Sequence, residues 1–117
     1  MKTSRVILAN EPPLLRGLLR RALARTPGLQ VLGEVTDLAE LPSLVRRYKA
    51  QWVVVSTGTE GRVPGAVESL LVDGSPLCIL GMAADGSQAK IVCTGSPEET
   101  REGLSLDDLI AILQRRR

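Results

Sequence analysis

Few residues in this chain carry side chains able to do chemistry, and their types narrow that chemistry. There is no histidine among the 117 residues, which removes Ser/His and Cys/His nucleophilic catalysis, histidine-ligated zinc and imidazole acid–base work together. Cys78 and Cys93 each lie inside an apolar run, P-L-C-I-L and K-I-V-C-T, where a cysteine reads as a small buried hydrophobe. Asp107 and Asp108 are paired in sequence only. Neighbouring helix positions diverge by about 100°, so a helix cap and a solvated face explain them better than acid–base catalysis. Glu11, beside Asn10 and ahead of two prolines, can bind a cation, accept a hydrogen bond from Ser56 or Thr57, or cap the following helix. The segment S-T-G-T-E-G, Ser56 to Gly61, offers backbone N–H groups and hydroxyls to an anion but lacks the G-K-[ST] of a P-loop. No metal-ligand spacing and no cofactor motif is legible. These positions describe a binding module, not an enzyme.

The rest of the composition agrees. Leu, Val and Ile supply 35 of 117 residues, enough for one core and one domain spanning 1–117. Trp52 and Tyr48 are the only aromatics, so stacking platforms for single-stranded nucleic acid have nothing to build them. The charge is uneven: +5 over residues 1–50, −6 over 51–114 and +3 from Arg115 to Arg117. The terminal arginines suit the end of a last helix or the start of a linker to a further domain after residue 114. No segment approaches the roughly 20 apolar residues of a membrane span, and the opening M-K-T-S-R-V-I-L runs into Asn10-Glu11 too soon for a signal peptide. The expected location is cytoplasmic, without a membrane partner.

Strands and helices must position these residues. Arg5 to Ala9 is a β-branched run without alternation, which suits a strand buried on both faces of a parallel sheet. Pro13 opens an amphipathic helix with Leu15, Leu18, Leu19 and Ala22 on one face, stopped at Thr26-Pro27-Gly28. Leu29 to Val35 predicts a second strand, and Leu41, Leu44, Val45 and Tyr48, sharing one face, a second helix, with Pro42 either distorting its first turn or starting it. Trp52 to Val55 is the third strand, Val63 to Leu71 a short helix, Leu77 to Leu80 the fourth strand and Ile91 to Thr94 the fifth. Gly95 to Gly103 reads as a polar connection, and Ser105 with Asp108 caps a last helix carrying Leu106, Leu109, Ile110 and Leu113. The pattern is α/β: a doubly wound, mainly parallel five-stranded sheet of order 2-1-3-4-5. Between Met82 and Lys90 only seven residues remain, so the fourth helix is shortened or missing. Seven residues are too few for a full crossover helix; a parallel fifth strand is still expected, with an antiparallel hairpin as the alternative.

R-V-I-L-A-N-E-P-P-L-L-R-G-L-L-R-R-A-L, followed by P-G-L-Q-V-L-G-E-V-T-D and A-Q-W-V-V-V-S, resembles the CheY-like receiver domains of bacterial response regulators. The likeness is greatest to the NarL-type branch, where a helix-turn-helix usually follows. The resemblance implies two acidic residues after the first strand, a phosphoacceptor aspartate after the third, Thr or Ser after the fourth and Lys after the fifth. Here the acidic pair falls on Asn10 and Glu11, the phosphoacceptor position on Ser56 and the switch position on Gly81, while Lys90 precedes the fifth strand. An acyl phosphate needs a carboxylate nucleophile and Mg²⁺ prefers several oxygen ligands including carboxylates. The resemblance therefore implies a degenerate receiver, or pseudo-receiver, that signals by phosphorylation-independent protein–protein interaction without metal or cofactor. Two alternatives stay open: a phosphorylatable receiver of a phosphorelay, and a small-ligand or nucleotide sensor using the Ser56–Gly61 loop. A protein partner or a second copy is expected, with DNA contacted only through a further output domain. With the fourth helix missing, the expected interaction surface comprises Ile91, Leu104, Leu106 and Ile110, the strand of Ile91 to Cys93 being left with an open edge.

Overall fold

The computed structural model describes residues 3–10, 13–57, 63–73, 76–83 and 88–114. Each apolar β-branched run forms a strand, and the strands join one sheet in the order β2-β1-β3-β4-β5-β6. They are β1 (Ser4–Ala9), β2 (Leu29–Glu34), β3 (Trp52–Ser56), β4 (Cys78–Met82), β5 (Gln88–Cys93) and β6 (Glu99–Glu102). The helices are α1 (Pro13–Ala24), α2 (Leu41–Tyr48), α3 (Gly65–Glu68) and α4 (Leu106–Gln114). The first four strands run parallel, as a strand–helix alternation requires.

Helices cover both faces, so the central strands are buried on both sides. Val6, Leu8, Trp52, Val54, Leu80 and Ile91 pack on one face against Leu19 and Leu23 of α1 and Leu109, Ile112 and Leu113 of α4. Ile7, Val53, Val55 and Ile79 meet Leu41, Val63, Val67 and Leu70 on the other. Pro42 sits in the first turn of α2, preceded by a 3-10 turn over Leu38–Glu40 whose Ala39 N–H donates to the Asp37 carboxylate. Of the two alternatives expected of that proline, the structure is nearer the first: the entry is a 3-10 turn, and the regular helix begins at Leu41, one residue before Pro42.

The second half departs from the expected five strands. Only five residues separate Met82 from Gln88, too few for the crossover that returns a chain to a parallel strand. β5 accordingly runs antiparallel to β4, with Cys78 opposite Cys93 and Gly81 opposite Lys90. The segment expected as a polar connection supplies β6, which pairs antiparallel with β5 from Gln88–Glu102 to Ile91–Glu99. Its sequence E-T-R-E has no apolar residue, and it is a strand because β5 offers unpaired backbone groups that need partners. The open edge expected at Ile91 is therefore covered by this chain itself.

At the start of α4 the Ser105 N–H donates to Asp108 Oδ2 at 2.9 Å, and the Asp108 N–H donates to Ser105 Oγ at 3.2 Å. This reciprocal box, expected from the spacing, holds the Asp108 carboxyl below its usual range, through the Ser105 backbone N–H first and the Ser105 side chain second. A depressed folded value means that the contribution is present above the ordinary carboxyl range and is lost as pH falls through the folded value. Protection at the first amides of α4, taken relative to the intrinsic exchange rate at each pH, should fall on acidification more in the native chain than in Asp108→Asn. An equal fall in the two proteins would show that the carboxylate does not hold the cap.

Candidate functional site

Loops at the carboxyl ends of parallel strands are where α/β sheets place their ligands, and the sequence-derived positions converge there. Asn10 follows β1 directly. Its side chain is fully buried, and among the described residues neither its Nδ2 nor its Oδ1 has a hydrogen-bond partner. Its carbonyl accepts from Arg16 Nη1 at 3.3 Å. Ser56 ends β3, half-buried and in register with Met82, and the next N–H, of Thr57, donates to the Met82 carbonyl at 2.9 Å. Glu11 and residues 58–61 of the proposed anion loop lie outside the described residues, as do Arg115 to Arg117.

The backbone at Gly81 is closely packed. A Cβ on Gly81 would stand 2.9 Å from Thr57 Cγ2 and 3.0 Å from Val63 Cγ2, so the volume in which a Thr or Ser would swing is occupied by two neighbouring methyl groups. Gly81→Thr is expected to destabilise the fold by about 1–3 kcal/mol through overpacking, without conferring any response to phosphodonors. A denaturation midpoint equal to that of the native chain would show that Thr57 and Val63 yield freely.

The antiparallel β5 revises the position of Lys90. In a parallel strand it would lie at the far end of the sheet, whereas here it pairs with Gly81, close to the carboxyl end of β4. Its Nζ is paired with Glu98 Oε2 at 3.1 Å, so its charge is already matched by a neighbour in its own hairpin. A part-exposed pair of this kind contributes little to stability.

Sequence reading missed the charged cluster beside Asn10. Glu34, at the end of β2, accepts from Arg16 Nε at 2.9 Å and Arg20 Nε at 2.7 Å. Arg16 is largely buried, with its side chain 11% exposed. The spacing of Arg16 and Arg20, four apart on one helix face, was the available signal; their partner on another strand was not visible. The cluster fixes α1 against β1 and β2 and orients the Asn10 backbone.

The donors here are an amide at Asn10 and a hydroxyl at Ser56, neither carrying the negative charge that Mg²⁺ favours. Among the described residues no group of three or more His, Cys, Asp or Glu is placed to hold a metal ion. The residues on view do not fit the Mg²⁺ centre that the resemblance implies. The expected interaction residues are placed less openly than their sequence pattern suggested. Ile91 is 4% exposed and lies in the core, and Leu104, Leu106 and Ile110 pack against that same core as partly buried side chains. Among the described residues no helix is long and apolar enough to cross a membrane.

No family model matches the chain, and no curated protein matches it in sequence. Solved structures do. The signal receiver domain of the response regulator NarL from Mycobacterium tuberculosis is similar with a TM-score of 0.59 and 22% identity, over 72% of this chain and 68% of that one. A LuxR-family two-component response regulator from an Aurantimonas species is similar with a TM-score of 0.57 and 28% identity, over 70% of this chain. The match spans 59% of that second protein. The sheet begun in the order β2-β1-β3-β4, the two helical layers and this likeness give the chain a CheY-like receiver fold.

Proposed function

We propose that this domain is a pseudo-receiver, a signalling module that works by binding a protein partner or a second copy and not by accepting phosphate. The observation that carries this reading is the site at the carboxyl ends of β1, β3 and β4. Ser56 offers a hydroxyl where an acyl phosphate needs a carboxylate, Asn10 an uncharged amide, and the space beside Gly81 is taken by Thr57 and Val63. Retention of the scaffold beside these groups favours recognition over catalysis. On this reading the module is cytoplasmic, and any contact with DNA belongs to an output domain joined beyond residue 114.

Acetyl phosphate with Mg²⁺ should leave the intact mass of the protein unchanged. A stoichiometric phosphoryl adduct at Ser56 would overturn the reading and favour a phosphorylatable receiver. The buried Asn10 amide, unpartnered among the described residues, favours a second reading, a small polar ligand seated between Asn10 and the loop after Ser56. A saturable rise in melting temperature with a nucleotide or inorganic phosphate, lost in Asn10→Ala, would support that one instead.

A further inference from the structure

Cys78 and Cys93, expected as separate buried hydrophobes, are joined as a disulfide across β4 and β5. The antiparallel register explains their meeting. Leu77 and Thr94 form a hydrogen-bonded pair, the Thr94 N–H donating to the Leu77 carbonyl at 3.0 Å and the Leu77 N–H to Thr94 Oγ1 at 3.2 Å. The next pair inward, Cys78 and Cys93, is a non-hydrogen-bonded one with Cα atoms 4.1 Å apart, the class in which facing side chains approach most closely. Trp52 pairs with Cys78 on the opposite side, so the only tryptophan of the chain stands in the same cross-strand row as the disulfide.

We propose that Cys78 and Cys93 are a reversible thiol–disulfide site, exchanging with small thiols and disulfides, whose state sets how tightly the β5–β6 hairpin is held to the sheet. Three observations support a responsive bond over a permanent staple. The parallel unit of β1 to β4 carries α1 and α4 on one face and α2 and α3 on the other, whereas β5 and β6 form an appended hairpin whose outer strand pairs with β5 alone among the described strands. On the face opposite α4 the hairpin presents Lys90, Thr100 and Glu102, the last two exposed, and contributes only Val92 to the core there. Reduced, the two thiols are small enough to refill their own space as buried hydrophobes, so both redox states can pack.

The chemistry balances without a metal or cofactor. A Cys93 thiolate, reached when the hairpin opens beside the exposed Thr94, attacks one sulfur of a small disulfide such as oxidised glutathione and releases one small thiolate. Cys78 then attacks the mixed disulfide, forms the Cys78–Cys93 bond and releases the second small thiolate. Two protons leave the protein thiols and two small thiols result. Two electrons pass from the protein to the small disulfide. Reduction runs through the same steps in reverse.

The test is thiol titration, Trp52 fluorescence and hydrogen exchange on the native chain equilibrated in glutathione buffers of graded ratio. The expected result is zero thiols oxidised and two reduced, interconverting reversibly, with Trp52 emission rising on reduction as disulfide quenching is relieved. In the reduced chain, amides of residues 88–102 should exchange at least tenfold faster than those of 52–56, whereas the oxidised chain protects both segments alike. A chain with Cys78→Ala and Cys93→Ala together should show the fast hairpin exchange in every buffer. Where that variant does not fold, the reduced native chain decides the matter. Loss of protection in step across both segments, no change in either, or thiols that do not rejoin in oxidised glutathione would each overturn the proposal.

Discussion

Leu80→Ala is expected to lower the unfolding free energy by about 2–5 kcal/mol, the range for deleting a fully buried leucine side chain. Leu80 has no exposed surface and lies in register between Val54 of β3 and Ile91 of β5, under the helical layer of α1 and α4. It is packed at the seam where the sheet changes from parallel to antiparallel, with strands on both sides to hold the cavity open. The contrasting position is Val31 on β2, an outer strand, where the side chain is only partly buried. Chemical denaturation monitored by far-UV circular dichroism measures both variants. A cost for Leu80→Ala no larger than that for Val31→Ala would mean that β4 is not interior and that the β4–β5 pairing is wrong.

Loss of the Cys78–Cys93 bond carries the second large effect. The bond closes a loop of sequence separation 15, and in the chain-entropy account a loop of that size contributes about 3 kcal/mol by restricting the unfolded ensemble. Typical domains have a total stability of about 5–15 kcal/mol, so the reduced protein should remain folded with a clearly lower denaturation midpoint. Denaturant titrations of the native chain with and without a dithiol reductant measure it. A reduced midpoint unchanged from the oxidised one would show that the two sulfurs are not bonded in solution.

The parallel half of the molecule was legible because its signals are local. Runs such as Val53-Val54-Val55 and the leucines of α1 declare strand and helix by composition and period, and Pro42 and Gly28 mark the breaks between elements. Leu19, Val54 and Ile79 of these runs are fully buried, and Val31 and Ile110 are half-buried against the core. The second half resisted because what shapes it is non-local. Glu99-Thr100-Arg101-Glu102 has no strand composition and pairs only because β5 lies beside it. The direction of β5 depends on how far the chain can travel in five residues, and that direction decides whether Lys90 stands near Gly81 or at the far end. It also decides that Cys78 faces Cys93, which two separate apolar runs cannot reveal. Of the site, the positions of Asn10, Ser56 and Gly81 at strand ends followed from the resemblance. The methyl groups of Thr57 and Val63 that fill the Gly81 position, and the clamp of Arg16 and Arg20 on Glu34, belong to the folded chain.

That the site no longer works as a phosphorylation switch is the central claim, and beryllofluoride with Mg²⁺ tests it without requiring covalent transfer. We predict that amide resonances of Asn10, Ser56, Thr57 and Gly81 in a ¹⁵N-labelled chain stay in place throughout the titration. Saturable, Mg²⁺-dependent shifts concentrated at those four residues would contradict the claim.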